Sequence, residues 1–145
     1  MKSSSIFTKS LLLILMLFFQ SCANQHLGKT LVPGNYPDVS KSGRHFLELE
    51  HLVMDYACVV SEDDQSITFE GNIQFLRKGF SGGWEVAEIC FTVYFLDINR
   101  KIIAVDYITL WPKKIAADKI PFKKTFKYNK EYKYVTYSYE SKAYL

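Results

Sequence analysis

No stretch of this 145-residue chain is long and apolar enough to cross a bilayer as a helix. Its longest unbroken apolar run is nine residues, Leu11–Phe19, against the ~20 that a crossing needs. Histidine is scarce, and His26, His45 and His51 stand at no common metal spacing. Cysteine is scarce as well, three in all, whereas a structural zinc site takes four ligands. Strong charge is missing: the formal net charge is +3, and the loss of Lys2 and Lys9 with residues 1–21 lowers it to +1. That balance argues against a dedicated nucleic-acid binder. No internal repeat, no long amphipathic helical period and no nucleophile-plus-base spacing is evident. These absences leave no catalytic residue, metal or cofactor to expect.

What is present begins at the N-terminus. Lys2 and Lys9 precede the apolar run, and Gln20-Ser21-Cys22 follows it, where the composition turns polar. A charged start, a short apolar core and a small residue before the cut make a secretory signal. With a cysteine directly after Ser21, residues 1–22 resemble a bacterial lipoprotein signal. Phe19 and Gln20 depart from the commonest residues at their positions. The resemblance implies cleavage before Cys22, acylation of its thiol and amine, and a membrane held through the lipid; two or more chains anchor a protein stably. The absence of Asp at position 23, where Ala23 stands, points to the outer membrane, facing the periplasm.

Residues 22–43 then read as the lipidated N-terminus and a flexible tether, because Gly28, Pro33, Gly34, Pro37 and Gly43 break any regular period. Fully extended, this segment would reach roughly 70 Å. From residue 44 to residue 145 the chain reads as one domain of strands and turns. Ile67, Phe69, Ile73 and Phe75 alternate with polar residues, as do Ala87, Ile89, Phe91, Val93 and Phe95. Gly71 interrupts the first of these faces and implies a bulge or a close approach. Residues 46–60 are ambiguous between a helical turn and a bent strand. Residues 77–84 read as a loop, residues 97–101 as a hairpin turn, and residues 116–118 as a short helical turn. Further strands are expected at residues 102–111, 122–128 and 135–139. The expectation is an all-β fold, an antiparallel sandwich of six or seven strands with a Greek-key connection.

Phe69-Glu70-Gly71-Asn72-Ile73, Val93-Tyr94-Phe95-Leu96-Asp97, Lys101-Ile102-Ile103, Pro121-Phe122 and Val135-Thr136-Tyr137-Ser138-Tyr139 resemble the FxLYD-type family of exported bacterial domains. The resemblance covers residues 67–139. It implies an immunoglobulin-like sandwich and an exported location, and it supplies no catalytic residues. Asn99-Arg100 departs from the family's usual Asp-x-x-Gly hairpin.

Cys58 and Cys90 form a candidate disulfide in an exported chain, or else two buried thiols. The Glu62-Asp63-Asp64 turn reads as solvated rather than as a calcium site, and Asp106 as a solvent-facing or lysine-paired carboxylate rather than a catalytic one. Residues 44–70 carry seven acids against Arg44, and residues 112–145 carry nine lysines against three acids. These segments are either neighbours or opposite patches. Tyrosines crowd the C-terminal region. Tyr132, Lys133 and Tyr134, with Trp84 and Trp111, make the candidate partner-binding surface, since exposed rings among charges suit recognition. The alternative is ring packing in the core. The function expected is a non-enzymatic, membrane-anchored module binding an envelope protein, or alternatively a lipoprotein that holds a glycan or small ligand.

Overall fold

A computed structural model describes residues 25–76, 86–111 and 119–143. Cys22, the 77–84 loop with Trp84, and the 116–118 turn lie outside them. Seven strands form: β1 Gly43–Leu49, β2 Leu52–Ser61, β3 Ser66–Phe75, β4 Val86–Leu96, β5 Ile102–Leu110, β6 Ile120–Lys127 and β7 Tyr134–Ala143. The ambiguous stretch at residues 46–60 is therefore two strands, joined by the two-residue turn Glu50-His51 with Leu49 opposite Leu52.

The strands make two antiparallel sheets, β1-β2-β3-β6 and β5-β4-β7. The chain crosses between sheets after β3, β5 and β6. The fold is an antiparallel β-sandwich. Period-two alternation builds its core. Leu52, Met54, Tyr56 and Cys58 point inward from β2, Ile67, Phe69 and Ile73 from β3, Ile89, Phe91, Val93 and Phe95 from β4, and Val135 and Tyr137 from β7. Phe69 stands at the centre. Its ring lies 5.3 Å from Tyr56, 5.1 Å from Phe126 and 6.1 Å from Phe95, centroid to centroid. Such pairs add ~0.5–1.5 kcal/mol each beyond area burial. A polar bond crosses the core: the Tyr137 hydroxyl donates to the Tyr56 hydroxyl at 2.7 Å. Burial pushes both phenols above their ordinary range, so both stay protonated.

The segment expected to be a flexible tether is instead bound to the sandwich over residues 28–39. Gly28 N–H donates to Ile102 O at 2.8 Å, Ile102 N–H to Lys29 O at 2.9 Å, and Leu31 N–H to Arg100 O at 3.0 Å. Farther on, Val39 N–H donates to Lys133 O at 2.9 Å, and Val135 N–H to Pro37 O at 3.1 Å. This strap thus pairs with the outer edge of β5 and then with the outer edge of β7, clasping the three-stranded sheet from both sides. The physical reason is that breaker residues prevent regular structure without preventing burial: Val39 is fully enclosed in the core. The hairpin it grips is unusual. Asp97 Oδ1 accepts from the N–H groups of Asn99 and Lys101, and Arg100 takes a left-handed φ of 63°. That is the position where glycine is otherwise favoured.

The acidic and basic segments are neighbours. β3 pairs with β6, and Glu70 meets Lys123 at 2.8 Å across that pair.

Gly71 marks a close approach. It stands in register between Tyr56 and Phe122, whose rings are 6.3 Å apart. A Cβ there would collide with the Asp55 carbonyl oxygen and the Tyr56 backbone. We expect Gly71→Ala to destabilise the fold by about 1–3 kcal/mol in urea unfolding, since backbone cannot rotate out of the way. Gly43→Ala is the control. The nearest atom there is a histidine nitrogen at 3.9 Å, so that change should be neutral or stabilising by up to about 1 kcal/mol.

Candidate functional site

Of the five residues expected to form a surface, Trp84 lies outside the described residues, and the structure does not gather the other four. Tyr132 belongs to the core. It is 9% exposed and stacks on Phe95 with centroids 4.4 Å apart and planes at 15°. Its place follows from the turn before β7, where Asn129 O accepts from Tyr132 N–H and Asn129 Oδ1 from Glu131 N–H. This local wrap folds the ring back over Phe95. Tyr134 is half-buried, with the Lys133 ammonium 5.8 Å from its ring centroid. Trp111 is 69% exposed but follows Leu110, which pairs with Ile89; Tyr134 pairs with Leu96 at the other end of the same sheet. Trp111 and Tyr134 therefore share no surface.

Lys133 is instead half of a clasp. Its ammonium donates to Asp38 Oδ2 at 2.6 Å and to Ser40 Oγ at 3.2 Å. Asp38 Oδ1 also accepts from the Ser40 N–H at 3.0 Å and hydroxyl at 2.6 Å. Burial pushes the Asp38 carboxyl up. The hydrogen bonds from Lys133 and Ser40 and the lysine's charge outweigh it and hold the group at about 2. Asp38 and Ser40 were not singled out from sequence. Their only signal is a short Asp-x-Ser turn motif after Pro37, which many loops carry.

The cysteines do not pair. Both are free thiols. Cys58 points into the core from β2, whereas Cys90 alternates against the buried Ile89 and Phe91 and so faces outward from β4. Two side chains on opposite sides of their layers cannot be bridged without moving backbone. The Cys90 thiol instead accepts from the Thr109 hydroxyl at 3.8 Å.

One grouping at the edge of the core has the composition of a nucleophilic site without its chemistry. The Asp38 charge acts on both Cys58 and His45. Burial, aided by the Asp38 charge, pushes the Cys58 thiol up to about 11, the reverse of an activated thiolate. Burial also pulls His45 below its ordinary range, with Asp38 opposing, and His45 Nε2 has no partner among the described residues. A neutral, enclosed thiol is a poor nucleophile, and no hydrogen bond joins it to the imidazole among the described residues. Among the described residues no three His, Cys, Asp or Glu side chains are arranged to hold a metal.

The clasp has a pH signature. The Asp38 carboxyl is depressed in the fold, so its contribution is fully present above the ordinary carboxylate value near ~4 and is lost as pH falls through the folded value of about 2. The melting temperature should therefore fall between about pH 4 and about pH 2. Asp38→Asn keeps the oxygen that caps Ser40 but not the charge. By circular dichroism this variant should melt lower than the parent at neutral pH, and the gap should narrow on acidification.

No family model, curated protein or solved structure matches this chain.

Proposed function

We propose that this protein is a lipoprotein of the bacterial cell envelope, cut before Cys22 and held by acyl chains on that residue. Its sandwich serves as a non-enzymatic module for binding another envelope protein. The observation that carries the reading is the N-terminal sequence: two lysines, a nine-residue apolar run, and Ser21-Cys22. Ala23 after the cysteine favours the outer membrane, with the domain in the periplasm. The strand order supports membership among immunoglobulin-like domains. If β1 is an added edge strand, β2-β3-β6 and β5-β4-β7 correspond to strands A-B-E and C′-C-F of that fold. The FxLYD-type resemblance is proposed on the same ground.

The partner surface we favour is now the outer side of β5. Tyr107 and Trp111 have the same parity there and are 41% and 69% exposed. Exposed rings of this kind supply anchor contacts. A second reading rests on a hollow of about 640 Å³ lined by Glu62, Gln65, Asn129, Lys130 and Tyr128. Polar groups beside a ring suit a glycan or small polar ligand.

Two measurements test these readings. Cys22→Ser should abolish metabolic palmitate labelling and release the protein from the membrane fraction; unchanged labelling would overturn the anchor. In cross-linked cells, Tyr107→Ser with Trp111→Ser should remove a specific cross-linked species while leaving the melting curve within ~0.5 kcal/mol of the parent, as for other exposed sites. If instead the cross-links persist and Lys130→Gln abolishes binding to a glycan array, the ligand reading replaces the partner reading.

A further inference from the structure

The strap changes how far the sandwich stands from its anchor. Were residues 22–43 free, the domain could sit tens of ångströms away. Gly28, however, is bonded to Ile102, and only six residues of chain lead to it from Cys22. Fully extended, six residues span at most about 20 Å. β4 alone has 11 residues and is roughly 36 Å long at ~3.3 Å per residue. An anchor at Cys22 therefore draws one particular end of the sandwich to the bilayer, the end carrying the strap and the β4–β5 turn.

That end is built differently from an ordinary solvated tip. Leu27, Val32 and Ile98 are 41%, 78% and 62% exposed. Leu27 and Val32 flank the strap's bonds to Arg100 and Ile102, and Ile98 lies in the turn of the same hairpin. Lys29, Arg100 and Lys101 stand among them, with Thr30 bridged to Lys101. Two nearby acids are engaged, since Asp97 caps two backbone N–H groups and Asp38 holds Lys133, and the exposed Glu131 shares a hollow with Ile98 and the cation Lys130. The acidic turn Glu62-Asp63-Asp64 belongs to the other sheet, between β2 and β3. Charge thus divides this end into a basic side on the three-stranded sheet and an acidic side on the four-stranded one. Apolar side chains ringed by cations are what an interfacial contact with anionic headgroups requires.

We propose that the end of the sandwich formed by residues 27–32 and the β4–β5 turn rests directly on the membrane that holds Cys22. Leu27, Val32 and Ile98 enter the headgroup layer, and Lys29, Arg100 and Lys101 meet anionic headgroups. β5 leaves that end and carries Tyr107 and then Trp111 progressively away from the bilayer, so the proposed partner surface stays accessible. This inference rests on acylation of Cys22.

The test uses the full mature chain, purified from cells and reconstituted in vesicles of phosphatidylethanolamine and phosphatidylglycerol. In a Cys90→Ser background, Ile98→Cys carries an environment-sensitive dye, and nitroxide lipids quench from the shallow acyl region. Val59→Cys is the reference, since Val59 is exposed on the outer side of the four-stranded sheet. The dye at position 98 should be quenched several-fold more than the dye at position 59. Replacing Lys29, Arg100 and Lys101 by Gln, or omitting phosphatidylglycerol, should reduce that difference. Mass spectrometry of the same sample counts the acyl chains. Acylated protein with equal quenching at both positions overturns the docked end alone. Protein without acyl chains that floats free of the vesicles overturns the anchor and the docked end together.

Discussion

Backbone pairing between Pro37–Val39 and Lys133–Val135 is the interaction on which the rest of this structure depends. A four-stranded sheet faces a three-stranded one. The Tyr56–Tyr137 bond sets β7 over β2 and the Phe69–Phe95 contact sets β4 over β3, which leaves β1 without a strand opposite it. The strap takes that place at one end. Its bonds extend the sheet beyond β7, and Val39 fills the space beneath. Burying such a side chain contributes ~1.5–3 kcal/mol, and each backbone hydrogen bond adds ~1 kcal/mol net. The Asp38–Lys133 pair then fixes the register, because a one-residue slip would turn Val39 to solvent.

On the proposed anchor at Cys22, the other end of the strap, bonded at Gly28 to Ile102, would decide where the domain sits. A lipid on Cys22 and a free linker would allow a mobile domain that samples the space around its anchor. A strap bonded from Gly28 onward leaves a short lead, so orientation and anchor are coupled. On that proposal the exposed Leu27, Val32 and Ile98 belong to one membrane-facing end. The strap also holds the left-handed Arg100, whose carbonyl accepts from Leu31. A strained residue of this kind persists where its surroundings over-determine it.

Much of the fold was legible because period-two alternation is a local signal. Residues 67–75 and 87–95 announced β3 and β4, and Gly71 announced either a bulge or the close approach that is found. From sequence Cys90 reads as bridged or buried, although its parity against Ile89 and Phe91 turns it outward. The inward side of Cys58 was not legible, because residues 46–60 hid a hairpin: Glu50-His51 contains no Gly, Asn or Asp to mark the turn. Tyr132 escaped for another reason. It precedes β7 in a turn, where parity has no meaning, and only its stacking on Phe95 decides its burial. The strap was least legible of all, since Val39 is a single apolar residue in a polar stretch and its partners lie some ninety residues away. Of the candidate surface, sequence pointed to Trp111 but not to Tyr107 beside it, because the bias drew attention to the tyrosine-rich end of the chain.

Native-state hydrogen exchange of the amides that join strap and sheet tests this account most directly. Gly28, Leu31, Val39 and Val135 donate the bonds that clasp the sheet. The account predicts that all four exchange far more slowly than in an unfolded peptide, with Val39 and Val135 approaching the protection of Ile89 and Phe91 in β4. Exchange of Val39 and Gly28 at free-peptide rates, alongside a protected β4, would contradict it: the segment would then be the loose tether that its composition suggests.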